Sequence, residues 1–354
     1  GAIRRRQRLS PYLYTLMWKA TSKPSEIGLP IMRPVWLGLG AVISKPASQA
    51  TQPADAERER AKLPENEVKN FSRSLLLVEN AWTIGSDVLV RPVMERGARK
   101  VRVPFPAHGC VDLDVEHKAI VARIEAPCVW YSVLTGDLIH GGRWRIFNVD
   151  ISSMPSWQRG GSILPRRQRV RRSSLLTVWD PLTLHVAPDI SGRARGMVYV
   201  DDGVSPHSAL EGGAASSHTS PKALLAINFA CHAGSQITAR RCRLTSTPEQ
   251  RLRNGPAVPS SAYIERVLFR GTHLCSTGPK PASTVRDLSA RHKHIVETVL
   301  LRIGRGVPEP TIGTVTASHE GLLLEQVRLP LEDTWEIDLL SVSLEVLDSE
   351  QCND

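Results

Sequence analysis

The residues of this chain best suited to acid–base chemistry are two adjacent carboxylates, Asp201 and Asp202. Two carboxylates that share proton transfer must both reach one substrate, one on each side of the bond that breaks. Neighbouring residues of an extended strand point to opposite faces, so this pair cannot flank a single substrate. Because Gly203 follows directly, the three residues predict an Asp-Asp-Gly turn.

Gly160 and Gly161 form a second candidate, because glycine-rich loops can cradle a phosphate group. Such a loop needs a helix directly after it and a Lys-Ser or Lys-Thr pair to complete the site. The sequence that follows the two glycines is SILPRR, which provides neither feature. The glycines therefore predict a turn that leads into a strand.

Histidine, cysteine and serine are too dispersed for metal or nucleophilic catalysis. The chain has 11 histidines and 6 cysteines, without a Cys-x-x-Cys or His-Glu-x-x-His set. No Gly-x-Ser-x-Gly elbow surrounds Ser162, Ser173 or Ser174. We therefore expect no metal and no cofactor. The cysteine spacing assigns no disulfides, so paired and free thiols both remain open.

The net charge of +10 suggests nucleic acid as a partner to consider. Much of the excess positive charge lies in two arginine clusters. No helix-turn-helix, zinc finger or aromatic RNA-binding strand accompanies either cluster, so nucleic-acid binding is not expected. The run from Arg166 to Arg172 predicts a solvated or ion-paired surface, with a glycan or anionic partner as the alternative. Arg33 and Arg159 stand beside apolar residues, and we therefore predict that they form buried ion pairs.

The N-terminal segment predicts a helix over residues 2–20, which Pro11 would kink or restart. The following IMRPVWLGL is typical of a short buried extended segment. Residues 41–73 are rich in Ala, Pro, Gln and charge and predict a mobile insertion, with a candidate N-glycosylation sequon at Asn70. No apolar run approaches the roughly 18–20 residues of a membrane span, so none is expected.

From Ser74 onward, short apolar runs alternate with turn residues. The clearest runs are SLLLVENAWTIGSDVLVRPVM, VWYSVLTGDLIHGGRWRIFNV, LLTVWDPLTLHVAP and GMVYVDDG. Short strands with frequent turns are typical of a β-sandwich or barrel. After Gly203, further β-prone runs separated by polar connections predict a second, looser β domain. The expected fold class is therefore mainly β.

Several of these stretches together resemble glycoside hydrolase family 31. IRRRQRLSPYLYTLMWKA and LPIMRPVWL are similar to the family's last barrel helix "R..LLPYWYTL" and the "PVMRPLW" after it. WTIGSDVLVRPVM is similar to "LLGDALLVAPV", VWYSVLTGD to "WYD..TG", and SSMPSWQRGGSILPR to "IPVFQRGG.I.P". The resemblance is closest to the glucosidase II α-subunit type, through RVRRSSLLTVWDPLTLHVAPDISGRARGMVYVDDG. The insertions near 41–70 and 110–127 depart from the family pattern.

The resemblance implies an architecture without an active site. It implies the last helix of an otherwise absent (β/α)8 barrel, followed by two β-sandwich-like domains. We expect residues 1–40 to be the barrel remnant, 41–73 the insertion, 74–206 a proximal β-sandwich and 207–354 a distal β domain with a frayed tail. Eight residues are expected to pack the β domain against the barrel or to form turns. They are Arg33, Trp36, Arg159, Gly160, Gly161, Asp201, Asp202 and Gly203.

The resemblance also implies the function of the whole enzyme, the hydrolysis of α-1,3-linked glucose from N-linked glycans in the endoplasmic reticulum lumen, with a β-type subunit as partner. Retaining glycosidases need two carboxyl groups about 5 Å apart. The family's "W.DMNE" and "GDN" motifs, which carry them, do not occur here. We therefore expect this chain alone to be structural and inactive. The alternative is a non-catalytic β-sandwich module that binds a glycan or a protein partner.

Overall fold

A computed structural model describes most of the predicted elements. The described residues are 2–23, 26–39, 71, 74–106, 128–150, 154–173, 175–203, 221–233, 240–248, 258–271, 298–303, 309–310, 314–318 and 321–342. The sequon at Asn70, the irregular region near 110–127 and the C-terminal tail lie outside these ranges. The insertion predicted at 41–73 also lies outside them, apart from Phe71.

Two helices form the N-terminal segment, α1 over Ala2–Arg8 and α2 over Ser10–Ser22. Pro11 lies in the first turn of α2, where its missing N–H group costs the helix no hydrogen bond. Of the two outcomes predicted for Pro11, a kink or a restart of the helix, the structure shows a restart.

The segment after the helices is less buried than its sequence predicts. Strand β1 covers only Met32–Pro34, and a 3₁₀ helix follows over Val35–Leu39. Val35 is buried, but Trp36 is 40% exposed and Met32 is also exposed. The prediction of one buried extended segment is wrong here, because neighbouring residues of a 3₁₀ helix point in different directions.

The chain divides into two compact units. The first unit consists of Gly1–Ile31, Val133–Leu138 and Gly160–Asp354, and the second consists of Met32–Ser132 and Ile139–Arg159. The mainly-β fold class predicted from the sequence is confirmed, since three sheets contain most of the described elements.

The second unit is built from a six-stranded sheet of order β1-β2-β3-β8-β5-β6 and a separate ribbon of β4 and β7. The strand bounds after β1 are β2 Trp82–Ile84, β3 Val88–Val90, β4 Lys100–Phe105, β5 Val129–Ser132, β6 Leu138–His140, β7 Arg143–Asn148 and β8 Ser156–Arg159. Leu89, Trp130 and Trp157 from the sheet share one core with Val103 and Phe105 from β4. The two layers thus bury a common apolar interior, as in a sandwich.

The first unit contains an eleven-stranded sheet of order β16-β15-β19-β13-β12-β11-β9-β10-β14-β18-β17. A second short 3₁₀ helix, Leu175–Thr177, precedes β10. The strand bounds are β9 Ser162–Arg166, β10 Leu182–Ala187, β11 Arg193–Asp201, β12 Lys222–Ala233, β13 Arg240–Pro248, β14 Tyr263–Phe269, β15 Thr298–Ile303, β16 Glu309–Pro310, β17 Thr314–Ser318, β18 Gly321–Pro330 and β19 Trp335–Val342.

This sheet curls so that one of its faces encloses a single core. Phe229 of β12 and Phe269 of β14 have ring centroids 5.4 Å apart, although three strands separate β12 from β14 in the sheet order. Strand neighbours lie about 4.8 Å apart, so a flat sheet would hold these rings far from each other. The curled sheet thereby buries its apolar face without a second layer.

Strands β11 and β12 lie on either side of the boundary predicted at residues 206 and 207. They pair in antiparallel fashion over nine positions, from Arg193 opposite Ala230 to Asp201 opposite Lys222. The residues around all three predicted boundaries, 40–70, 72–73 and 204–220, lie outside the described ranges. The four-segment division of the chain therefore stays a prediction.

A substitution at Gly196 should test the closest strand contact in the first unit. A β-carbon there would lie 2.3 Å from the Ile163 carbonyl oxygen on β9. Gly196→Ala should therefore lower the free energy of unfolding of this unit by about 3 kcal/mol or more, measured by urea denaturation.

The matched control is Gly97→Ala, in an exposed turn with φ +77° and no atom within 4 Å of the added carbon. Its left-handed backbone should cost only about 1 kcal/mol. Equal losses for the two variants would contradict the close approach of β9 and β11.

Candidate functional site

Asp201 ends β11 and holds the N-terminal helix against the sheet. The Tyr14 hydroxyl donates to both carboxylate oxygens of Asp201, at 2.7 Å and 3.0 Å. The Gly203 N–H donates to Oδ1 at 2.8 Å, and Gly203 has φ +67°. Asp201 is 2% exposed. The bond from the Gly203 N–H closes the turn predicted for Asp-Asp-Gly, and the bonds from Tyr14 join that turn to α2.

A second hydroxyl contact completes the junction between α2 and β11. Thr15 Oγ1 donates to the Pro11 carbonyl at 2.9 Å and accepts from the Tyr199 N–H at 3.1 Å. Strand β9 pairs with β11 only at Arg195 and Gly196. The helix therefore satisfies a backbone donor of β11 beyond the last residue that β9 reaches, which protects that edge.

Three aromatic rings lie stacked at this junction. The Tyr199 ring is 5.9 Å from Tyr14 and 5.2 Å from Trp18, with interplanar angles of 25° and 18°. Burial, followed by the Asp201 carboxylate, raises the pKa of Tyr14 above its ordinary value. The same two causes, in the same order, raise the pKa of Tyr199. Both phenols therefore keep their protons at neutral pH and donate or stack as neutral groups.

The geometry assigns Asp201 a structural role, because catalysis by a carboxylate requires contact with a substrate. The hydroxyl and amide donors around it already use both of its oxygens. In the ranges that the structure describes, no group of three or more His, Cys, Asp or Glu residues could hold a metal ion. The junction can lock two elements together, and it cannot present two carboxylates to a sugar.

Arg159 is the last residue of β8, and Gly160 and Gly161 follow it directly. Gly160 and Gly161 form the turn between β8 and β9, and Gly161 has φ +86°. Arg159 is buried, and its Nε and Nη2 donate to Asp87 Oδ1 at 3.2 Å and 2.8 Å. The ion pair predicted for Arg159 is thus present within the second unit. Its proposed role in packing on a barrel stays a prediction.

Arg33 and Trp36 lie in the second unit, Arg33 on β1 and Trp36 in the 3₁₀ helix that follows it. Arg33 stands opposite Thr83 in the β1–β2 pair, and the Thr83 hydroxyl donates to the Arg33 carbonyl at 3.5 Å. Trp36 is exposed, as described above. Their packing on a barrel likewise stays a prediction.

The arginine run after β9 is partly ion-paired. Arg171 donates through Nε and Nη2 to the two Asp180 carboxylate oxygens, each at 2.9 Å, and this lowers the pKa of Asp180. Arg167 is buried, and its Nη2 donates to the Val178 carbonyl at 2.6 Å. Burial lowers the pKa of Arg167 to about 10. The run therefore fastens the Val178–Asp180 loop rather than forming a uniform anion-binding face.

A buried pair of a guanidinium and an imidazole, Arg270 and His185, was not predicted from the sequence. His185 is 2% exposed and Arg270 is 0% exposed, and Arg270 Nη2 lies 3.2 Å from His185 Nδ1. A guanidinium group only donates, so Nδ1 must accept and the imidazole proton must reside on Nε2. Burial, with the nearby charges of Arg166, Arg270 and Arg8, lowers the pKa of His185 well below 6.5.

A disulfide joins Cys231 of β12 to Cys242 of β13, which are directly opposite in the antiparallel pair. Cys128 is disulfide-bonded as well. The sequence alone did not decide whether the cysteines are disulfide-bonded or free. A usable signal was present for the first pair, because the two cysteines stand 11 residues apart in β-prone runs around a polar connection.

Part of the chain is similar to a known family of β domains. Residues 28–164 match the family model described as the glycosyl hydrolase family 31 C-terminal domain. Residues 28–164 are therefore similar to that domain, and the resemblance to glycoside hydrolase family 31 stated from the sequence is confirmed. The matched residues include the Gly160-Gly161 turn and the Arg159–Asp87 ion pair.

Curated relatives narrow the likeness to α-glucosidases. The chain is 31% identical to human "Neutral alpha-glucosidase AB" over 202 residues, which are 57% of this chain and 16% of that protein. It is 28% identical to a "Probable glucan 1,3-alpha-glucosidase" of Arabidopsis thaliana over 333 residues, 92% of this chain and 27% of that protein. The chain thus spans between about a sixth and a quarter of these relatives' lengths.

Solved structures share the fold. A crystal structure of the glucosidase II alpha subunit aligns with 96% of this chain and 28% of its own, at a TM-score of 0.58 and 18% identity. A dextranase of the same family from Flavobacterium johnsoniae aligns with 95% of this chain and 32% of its own, at a TM-score of 0.56 and 15% identity. Among the described helices, none is long and apolar enough to cross a membrane.

Removal of the Tyr14 hydroxyl should weaken the junction between α2 and β11. Tyr14→Phe keeps the ring stacked on Tyr199 but withdraws a donor from a buried carboxylate, which should cost about 1.5–3 kcal/mol of unfolding free energy. Thermal and urea unfolding of the full chain would measure the loss.

Thr21→Ala is the control for this variant, since its hydroxyl donates within α2 to the Met17 and Trp18 carbonyls on an exposed side. It should change stability by less than about 0.5 kcal/mol. A Tyr14→Phe variant as stable as Thr21→Ala would rule out a stabilising Tyr14–Asp201 contact.

The neutral state of His185 should make the fold sensitive to acid. Because its folded-state pKa is depressed, the unfolded chain binds a proton below pH 6.5 that the folded chain does not, and stability falls as pH falls. In His185→Gln, whose side-chain oxygen can still accept from Arg270, this dependence should disappear between pH 6.5 and pH 5.

Urea unfolding at pH 8, 7, 6 and 5 would give the slope of the unfolding free energy against pH for the unaltered chain and for His185→Gln. The two slopes should differ by at most about 1.4 kcal/mol per pH unit, the value for one proton. The comparison at pH 8 gives the cost of the substitution itself, since the imidazole is neutral there in both states. Parallel pH curves for the two proteins would show that His185 does not titrate in this way.

Proposed function

We propose that this chain is the C-terminal β portion of an α-glucosidase of the glucosidase II α-subunit type, and that its own contribution is structural. The observation that carries the proposal is the match of residues 28–164 to the family 31 C-terminal domain. The relatives' names, which include neutral and glucan 1,3-alpha-glucosidases, support α-1,3-linked glucose as the substrate linkage. The two-carboxylate retaining mechanism belongs to the same proposal.

The structural role is supported by the way α2 is fixed to the first unit. Tyr14 and Thr15 bond to β11, while Met17, on the other side of the helix, is 52% exposed. Ile3 and Ile27 in the same N-terminal segment are also exposed. We propose that a catalytic barrel covers these apolar side chains and that α2 braces it, with Arg33 and Trp36 contributing further packing.

A β-type subunit is the proposed partner, and the endoplasmic reticulum lumen is the proposed compartment. One neighbouring structure is described as an ER glucosidase II complex of the catalytic subunit and the binding domain of the regulatory subunit. The Cys231–Cys242 disulfide supports an oxidising compartment, where such bonds persist. N-linked glycans are the corresponding proposed substrates.

The chain alone should not hydrolyse glycosides, because its sequence lacks the family's carboxylate motifs and Asp201 is held by Tyr14. The test incubates the purified 354-residue chain with 4-nitrophenyl α-glucoside and records nitrophenol release. Human neutral alpha-glucosidase AB in the same buffer serves as the positive control.

Release from the chain should equal that of the buffer. Release that rises with chain concentration and persists after a further purification step would overturn the proposed inactivity. If such activity were lost in Asp202→Asn, the carboxylates of the Asp-Asp-Gly turn would have to be reconsidered as catalytic groups.

A further inference from the structure

A cleft of about 390 Å³ lies in the first unit, where the ends of β14 and β18 meet the turn before β19. Its lining includes Ser260, Tyr263, Arg328, Glu332 and Asp333. Small-molecule sites in proteins commonly have volumes of roughly 300–1,000 Å³. The cleft is therefore large enough to hold about two rings of an oligosaccharide.

The strand register places the floor of the cleft on the outer face of the sheet. Tyr263 is opposite Pro330, and the next pair, Ile264 and Leu329, is fully buried in the core. Alternate residues of a strand share a face, so Tyr263, Pro330 and Arg328 all point away from that core. The Arg328 guanidinium carbon lies 5.4 Å from the centroid of the Tyr263 ring.

An irregularity in β18 stands beside this floor. The register between β14 and β18 shifts between Ile264 and Arg266, and Gln326 on β18 has φ +60°. A non-glycine residue with positive φ costs the chain about 1 kcal/mol or more, and bulges of this kind re-aim side chains next to sites. The bulge therefore determines the face of the sheet on which Arg328, two residues after Gln326, lies.

The rim of the cleft is fixed before any ligand arrives. Glu332 Oε1 accepts the Val258 N–H at 2.8 Å. Ser246 Oγ donates to the Asp333 carbonyl at 3.3 Å and accepts the Trp335 N–H at 2.9 Å. The Trp335 indole donates to the Pro330 carbonyl at 3.1 Å. A rim held by these bonds loses little entropy when it binds a ligand.

The charges of the lining select the chemical class of the ligand. An anionic ligand would meet the carboxylates of Glu332 and Asp333, and a cationic ligand would meet the Arg328 guanidinium. A neutral sugar avoids both conflicts, because each hydroxyl can donate to a carboxylate and accept from a guanidinium. The apolar C–H face of a sugar ring also matches the aromatic face of Tyr263.

We propose that the cleft formed by Ser260, Tyr263, Arg328, Glu332 and Asp333 is a binding site for neutral oligosaccharides. The site lies in the first unit and takes no part in hydrolysis, so it goes beyond the structural role proposed above. In the whole enzyme it would retain a glycan at a second point of contact.

Binding of maltotriose and nigerose to the full chain tests this site, with saturation-transfer NMR and isothermal titration as readouts. Both sugars should bind saturably, with dissociation constants in the range of about 1 mM, and an oligogalacturonate of similar length should bind at least tenfold more weakly. Tyr263→Ala should weaken maltotriose binding at least tenfold, and Arg328→Ala should weaken it as well.

Two control variants separate binding from folding. Tyr263→Phe keeps the aromatic ring and should retain maltotriose binding. Arg266→Ala removes an arginine of β14 that pairs with Glu325 outside the cleft, and it should also retain binding. Thermal unfolding of each variant would show that the fold persists.

The proposal fails if neither sugar binds saturably at concentrations up to about 10 mM, if Tyr263→Ala binds maltotriose as the unaltered chain does, or if the charged oligosaccharide binds equally well. None of these outcomes depends on nitrophenol release. The binding site and the proposed inactivity can therefore fail separately.

Discussion

The hydrogen bond from the Tyr14 hydroxyl to the Asp201 carboxylate controls how the N-terminal helix meets the sheet. Asp201 stands at the last residue of β11, so its carboxylate can both close the following turn through the Gly203 N–H and receive a donor from α2. A buried carboxylate without donors would be costly. The position of α2, the contact of Thr15 with the edge of β11 and the stacking of Tyr14 and Trp18 on Tyr199 all depend on this arrangement.

Other buried charged side chains of the chain also have polar partners that offset the cost of burial. Arg159 is buried and paired with Asp87, and the buried Asp180 is paired through both oxygens with the exposed Arg171, so each buried charge has an oppositely charged partner. Arg270 differs, because it donates to the neutral imidazole of His185. This pair is stable only while His185 remains unprotonated, since a proton on Nδ1 would place two cations in contact. The excess of arginine in the sequence is thus partly a structural feature of the interior.

The residues that first suggested chemistry make structural contacts in the described part of the chain. Asp201 and Asp202 form a turn, Gly160 and Gly161 connect β8 to β9, and the arginine run fastens a loop. The cleft at Tyr263 and Arg328, which we propose as a ligand site, is marked by no local motif. Its residues come from segments 258–263 and 328–333, which are distant in sequence and become neighbours only in the β14–β18 pair.

The mainly-β class, a helix interrupted at Pro11 and the turns at Gly160-Gly161 and Asp201–Gly203 could be predicted from the sequence, because they depend on local backbone preference and apolar alternation. The family likeness came from the resemblance of motifs. The contacts of Tyr14 with Asp201, of His185 with Arg270 and of Arg159 with Asp87 became visible only in the folded chain, since these residues are 187, 85 and 72 positions apart. Apolar alternation shows which face of a strand is buried, but it does not encode which strands are neighbours. Strand order and the curl of the sheet therefore made these pairs, and they could be seen only once the chain was folded.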